Sequence, residues 1–456
     1  MSTSPTSSPL GALVNILDQN VTALEDAYAK AGAESVPSLD DLYSPSPLDK
    51  DPVIAGYRKS IIAASDHLSN SVGLPFENTQ TAVGGLYALL VIGIVEDANI
   101  PDILLEAGVQ GMHAKDIAAI CGLDASIIAR CLRYLATRHI FREISPDVFT
   151  NNRNSSIFVK GQPVQELKAN PEGRYSTPSF AATIRMMNDE MLVGACAMND
   201  WVKSPGSADS AFSLGHKTDK NIWEWYALPG NELRARRFAN HMRNVTAQFP
   251  NEIIVKAIDG ASMKEDEVVV DMGGGVGHAV LVLSKAYPHL KFVLQDLPNQ
   301  KDPALSFWNA NAPDTLSSGK VTFQEHNFFE AQPVEGAAVY FMRACLHDWP
   351  DVKAQRIMQR VCDAATPGYS KLVVMEGIMR HVCEDPAIPS DAPWPLLRNY
   401  GVAGSGFQTL ADFQVLNICN GKERTVQDFR ELGASAGWKL EEVRQGAMMA
   451  YIFVPA

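Results

Sequence analysis

The segment Asp271-Met272-Gly273-Gly274-Gly275-Val276-Gly277-His278 follows the apolar run Val268-Val269-Val270 and opens the helical pattern His278–Tyr287. Glycines here let the backbone approach a ligand without Cβ clashes, and a helix start presents free N–H groups. The spacing departs from the dinucleotide fingerprint, because G-x-G-x-x-G begun at Gly273 needs a glycine where His278 stands. Asp271, directly before the loop, suits a cofactor with a cationic, amino-acid-like part better than one with a pyrophosphate. The next apolar run, Lys291–Leu294, leads into Gln295-Asp296-Leu297-Pro298. At the end of a second strand, Asp296 can take both hydroxyls of a ribose or cap the helix that follows. Asp271, the glycine loop and Asp296 together point to S-adenosylmethionine.

His347 lies in Leu346-His347-Asp348-Trp349, after the apolar strand Ala338–Met342 and before a helix from Val352. Active-site residues of parallel sheets gather at the carboxyl ends of strands. An imidazole with an ordinary pKa of about 6.5 suits a general base acting on a phenolic hydroxyl of pKa about 10. A polar helix cap is the alternative for His347, and the adjacent Asp348 reads as the cap of the following helix. No cluster of His, Asp, Glu or Cys has metal-ligand spacing, so no metal is expected.

These residues need an alternating scaffold. From 266 onwards the pattern runs Glu267–Met272, His278–Tyr287, Lys291–Gln295, Lys320–Glu325, Ala338–Arg343, Val352–Ala364 and Lys371–Met375. That alternation of strand and helix implies an α/β fold with a parallel sheet covered on both faces. Upstream, helices are expected over Leu10–Lys30, Ile54–Leu68 and Gln80–Glu96, the last one buried. Residues 113–152 read as helix, turn, helix capped by Asp124, then strands His139–Ile144 and Val148–Asn151 around Ser145-Pro146-Asp147. That is a winged-helix outline. Its second helix offers only Arg130, Arg133 and Arg138 as cations, too few for a recognition helix, so a scaffold or dimerisation role is expected rather than nucleic-acid binding. Residues 153–265 are helical and connective, with aromatics and methionines that read as core or as the wall of a pocket for a flat substrate.

The 456 residues carry 39 Lys+Arg against 52 Asp+Glu, a formal charge of −13 that disfavours a polyphosphate partner. The seven cysteines form no CxxC pair, which fits reduced thiols rather than a zinc module or disulfide framework. No secretory signal opens the chain, and the apolar stretch Ala82–Val95 is too short for a bilayer of about 30 Å. A cytoplasmic protein without membrane contact is expected.

VVVDMGGGVGHAVLVLSKAYPHLKFVLQDLP, MRACLHDWPD, VVMEG and NGKERT, in this order, resemble the small-molecule O-methyltransferases of the caffeic acid, flavonoid and fungal polyketide type. The resemblance runs from about Pro75 to the C-terminus. It implies an N-terminal winged-helix dimerisation domain and a Rossmann-like methyltransferase domain. The expected division is a helical arm over 1–74, the winged-helix domain over 75–165 and the methyltransferase domain over 166–456, the last comprising connecting helices 166–265 and a core 266–456.

By that resemblance His347 is the catalytic base, supported by Glu376 and Glu423. Asp271, Gly273, Gly275, Asp296 and Leu297 bind the cofactor's amino-acid and ribose parts. Asn327 and Phe328, where the family has an acid and a hydrophobe, belong near the adenine with Trp349, and Arg343 replaces a common Lys. Met187, Asn188 and Met242 match substrate positions, while Asn417 and Asn420 compete for one more. Residues 385–409 depart from plant-type relatives as a lid or substrate-shaping insertion. The implied activity is methylation of an aromatic or enolic hydroxyl of a secondary metabolite by a homodimer. Two alternatives are a non-methylating dehydration or pericyclic rearrangement, which loss of the base histidine would accompany, and a ligand-sensing DNA-binding regulator.

Overall fold

The computed structural model describes residues 8–175, 179–247 and 249–456. The chain divides into two compact units, residues 1–248 with 391–404, and residues 249–390 with 405–456. Thus the connecting helices up to 247 group with the N-terminal half, and so does Asp391–Gly404 from the insertion.

In the first unit, the helices Pro9–Lys30 and Pro52–Val72 pack as an antiparallel hairpin, with Tyr28 beside Ile54 and Leu13 beside Ala64. Ser8 and Asp51 cap their first turns by accepting backbone N–H bonds. Ala392, Leu396 and Tyr400 complete the hairpin's core.

Residues 112–150 form β1 (Met112–His113), helices Ala114–Cys121 and Ala125–Ala136, β2 (Arg142–Ser145) and β3 (Val148–Thr150), with antiparallel order β1-β3-β2. Asp124 caps the second helix through the N–H groups of Ser126 and Ile127. The first hairpin strand begins at Arg142 rather than His139, because His139 and Phe141 take positive φ angles of 59° and 67°. Arg133 is bound to Glu143 and Asp147, and Arg138 lies over the Tyr134 ring.

The expected buried helix over Gln80–Glu96 is corrected on two counts. It is two helices, Pro75–Val83 and Gly85–Asp97, and of the second only Gly93, Val95 and Glu96 are buried. The run Pro75–Asp97 is also long and apolar enough to cross a membrane by length and composition alone. Uncharged Asn78, Thr79, Gln80 and Thr81 extend it beyond the Ala82–Val95 stretch. Its C-terminal end is fixed inside the unit, where the buried Lys160 ammonium meets Glu96 at 3.0 Å and Asp102 at 3.5 Å.

The second unit is built on seven strands: β4 (Val268–Met272), β5 (Lys291–Asp296), β6 (Val321–Glu325), β7 (Val339–Arg343), β8 (Lys371–Glu376), β9 (Trp438–Arg444) and β10 (Met449–Pro455). Their order is β6-β5-β4-β7-β8-β10-β9, with β4 to β8 parallel and β10 antiparallel to both neighbours. This is the Rossmann-like α/β arrangement. Alternate residues feed two cores: Val269, Phe341 and Val373 on one face, Val270, Met342 and Val374 on the other. The chain reverses its direction of strand addition between β4 and β7, so a crevice opens at their carboxyl ends.

Candidate active site

The glycine turn leaves β4 at that crevice. Gly273 and Gly274 donate to the carbonyl of Gln295, and Gly275 donates to Asp296 Oδ2 at 2.7 Å. Gly273 and Gly275 have φ of 68° and 59°, left-handed values that glycine adopts without strain. A Cβ on Gly273 would stand 2.9 Å from Cys345 Sγ, whereas one on Gly275 would meet open space. The turn therefore presents a bare backbone cradle.

Two acids flank it. Asp271 is 1% exposed, and its Oδ2 has no hydrogen-bond partner among the described residues. Burial pushes its carboxyl up to about 7 against the nearby Arg343 charge. Asp296 ends β5, and its other oxygen accepts the Leu297 N–H at 2.7 Å. Burial raises Asp296 as well, and those two backbone bonds offset part of the effect. Arg343, at the end of β7, is lowered by burial and partly restored by Asp271.

Phe328 and Trp349 lie edge to face at 5.8 Å, and Phe329 joins both at 5.1 and 4.8 Å. Phe329 escaped the sequence reading, although it stands next to Phe328 in an aromatic pair. Asn327 is turned to its own backbone, its Oδ1 accepting the Phe329 N–H at 3.1 Å.

His347 sits on a short turn, Leu346–Asp348, directly after β7. Its Nδ1 lies 2.6 Å from Glu423 Oε1, and Asp348 Oδ1 lies 3.7 Å from Nε2. Burial alone would lower this imidazole, but the Asp348 charge, the Glu423 bond and the Glu376 charge raise it to about 10. No hydrogen bond among the described residues engages Nε2.

One expectation is narrowed here and another corrected. Of the two supporting carboxylates, Glu376 is not the one that holds the imidazole. Its Oε1 accepts the backbone N–H groups of Cys345 at 3.2 Å and His347 at 3.0 Å. Nor does Asp348 cap the next helix. The residue before Asp351–Ala364 is Pro350, with no side-chain cap bond, and the Asp348 carboxylate faces His347 and Cys419 instead.

Glu423 follows the helix Gly401–Cys419, and its N–H is held by Asp412 at 2.8 Å. Asn417 is buried in that helix's last turn, while Asn420 takes φ of 55° and ends it. The left-handed backbone at 420 gives Asn420 a structural reason to be there.

Met187, Asn188 and Met242 belong to the first unit. Met187–Met191 is a π-helical turn, a rare element that recurs at functional sites. Asn188 donates from Nδ2 to the carbonyls of Leu89 and Ile184, both at 3.1 Å, and fills the space a side chain at Gly93 would need. Its amide nitrogen thereby locks this turn to the helix Gly85–Asp97. Among the described residues, no group of His, Cys, Asp or Glu is arranged to hold a metal ion.

The O-methyltransferase domain family matches residues 199–439. An O-methyltransferase of Armillaria gallica is 33% identical over 454 residues, covering 96% of this chain and 95% of that protein. Two solved structures share the fold. The mitomycin 7-O-methyltransferase MmcR has a TM-score of 0.62 at 19% identity, over 83% of this chain and 97% of its own. A structure described as a pericyclic reaction enzyme has a TM-score of 0.63 at 22% identity, over 96% and 99%.

Proposed function

Because the chain belongs to the O-methyltransferase family, we propose that it transfers the methyl group of S-adenosylmethionine to a hydroxyl of an aromatic or enolic secondary metabolite, with His347 as the base. The observation that carries this reading is the 2.6 Å bond from Glu423 to Nδ1, which leaves Nε2 for the acceptor hydroxyl. The donor set fits the cofactor. Asp271 offers a buried oxygen without a partner to the cationic amino-acid end, Gly273 and Gly275 a side-chain-free cradle, Asp296 an acceptor for ribose hydroxyls, and Phe328 with Trp349 an aromatic wall for adenine. When bound, S-adenosylmethionine supplies a methyl group activated by its sulfonium charge.

The protein's own part is proton handling. An ordinary imidazole takes the proton of a phenol uphill by about 3.5 pH units, or roughly 5 kcal/mol. At about 10, His347 matches the phenol, and transfer becomes nearly balanced. The same carboxylates hold the imidazolium at neutral pH, so the pair of acceptor and imidazole must lose one proton before attack. Asp348 and Glu423 then hold an imidazolium beside the anionic oxygen.

We also place a second copy of the chain against the first unit. Phe76, Val83, Leu86 and Tyr87 are exposed on the helices Pro75–Val83 and Gly85–Asp97, and apolar side chains clustered at a surface in this way mark an interaction site. The winged-helix segment next to it then serves dimerisation, with Arg133 already paired and unavailable to a phosphate backbone.

The test is incubation of the purified chain with labelled S-adenosylmethionine and a panel of phenols. S-adenosylhomocysteine formed in equal amount with a methylated product supports the reading. An altered product without S-adenosylhomocysteine replaces it with the non-methylating one.

A further inference from the structure

The turn that carries His347 is held by its backbone. The chain leaves β7 through Ala344, whose φ of 47° is left-handed for a non-glycine residue and persists only where neighbours enforce it. Glu376 takes the N–H groups of Cys345 and His347, and the N–H of Lys422 donates to the His347 carbonyl at 2.8 Å. Two further carbonyls of the segment, of Leu346 and Trp349, both point to Arg424. Its guanidinium donates from Nη1 to Leu346 at 3.1 Å and from Nη2 to Trp349 at 2.8 Å. Nε and Nη2 reach Asp351 Oδ1 at 3.0 and 2.9 Å, at the start of the next helix. Arg424 is fully buried, whereas the Asp351 side chain is largely exposed.

We propose that Arg424 is a positioning residue for His347: one planar, buried guanidinium spans the turn from 346 to 349 and sets the imidazole against Glu423. A planar fork can meet two carbonyls and a carboxylate at once, and an ammonium cannot. Glu376 grips the same turn through its N–H groups, so opposite charges hold opposite polar groups of one short segment. The next residue along from Glu423 thereby links the carboxylate that binds the imidazole to the backbone that carries it. The inference rests on His347 being the base for methyl transfer, but its geometry can be measured without turnover.

The test is Arg424→Lys in the full chain, read by circular dichroism, by the NMR titration of the His347 imidazole and by steady-state kinetics. The groups facing that imidazole are Asp348, Glu376 and Glu423, with the Cys419 thiol beyond Asp348. A folded variant is expected to titrate His347 at least about one pH unit lower, as Nδ1 slips from Glu423. It should lose kcat by about tenfold or more at nearly constant KM for the acceptor. An unmoved titration with kcat within about twofold of the parent overturns the proposal. If Arg424→Lys does not fold, Asp351→Asn removes only the exposed counter-charge. It should shift the titration the same way by a smaller amount, and no shift there is equally fatal. A parent chain that never methylates, yet shows the titration shift in Arg424→Lys, sinks the functional reading and keeps the positioning role.

Discussion

Glu376 accepts the backbone N–H of His347 at 3.0 Å and leaves the imidazole of that residue to Glu423. The two carboxylates are therefore not equivalent supports, and conservative replacements separate them. In Glu376→Gln an amide oxygen still accepts both N–H groups, so methyl transfer should fall by no more than about tenfold. In Glu423→Gln the charge that holds Nδ1–H is lost, and kcat should fall by about 10² to 10⁴. Glu376→Ala strands two buried N–H groups and should lower stability by about 2–4 kcal/mol, seen in denaturant unfolding. Equal losses of kcat in the two glutamine variants would contradict this division.

The pH dependence follows from the same cluster. Since Asp348, Glu423 and Glu376 raise the imidazole to about 10 against the effect of burial, activity should still be rising with pH above neutrality. Removing a negative neighbour weakens proton binding, so Glu423→Gln should move that limb downward, toward the ordinary histidine value of about 6.5. The measurement is kcat/KM from pH 6 to about 10.5, which reports the free protein and free acceptor. A parent profile already flat at pH 7 would speak against the raised imidazole.

Much of this site was legible before the structure. The strands β4, β5, β7 and β8 fall within one or two residues of the apolar runs, because Gly, Pro or charged residues bound each run. The sequence motifs mark His347 and Glu423, and the two side chains meet. What could not be read was how the backbone is held. The motif around Gly421-Lys422-Glu423-Arg424 offered Glu423 as the chemistry, while the partners of Arg424 are carbonyls that no residue type announces. The β9–β10 pair also escaped, since β9 carries Lys439, Glu441 and Glu442 at the sheet's edge and shows little apolar patterning. Asn188 matches a substrate position by family resemblance alone, and only the positions of the Leu89 and Ile184 carbonyls show that its amide nitrogen ties two helices together.

The glycine turn separates backbone strain from ligand space. Gly273→Ala adds a Cβ 2.9 Å from Cys345 Sγ at φ of 68°, so both the melting temperature and the affinity for S-adenosylhomocysteine should fall. Gly275→Ala meets no protein atom within 4 Å, so strain of about 1–2 kcal/mol is its main structural cost. Its Cβ would stand in the cradle assigned to the cofactor, so the loss should concentrate in affinity, by about tenfold or more in calorimetric titration. Binding by Gly275→Ala equal to that of the parent would move the cofactor away from this turn.

The exposed face of the helices Pro75–Val83 and Gly85–Asp97 yields the last expectation. Phe76 is 76% exposed and Val83 74% exposed, and an apolar side chain of that size left in water forgoes about 1.5–3 kcal/mol of burial. A second copy meeting this face would bury it, whereas a bilayer would cover the same residues with acyl chains. Phe76→Ser with Val83→Ser removes that gain without touching Lys160, Glu96 or Asp102, which fix the other end of the helix run. Sedimentation should find the parent chain as a dimer in detergent-free buffer and the double variant dissociating at concentrations at least about 10²-fold higher. A parent chain that is monomeric in buffer but floats with lipid vesicles would reverse the assignment, because the apolar run would then be serving a membrane.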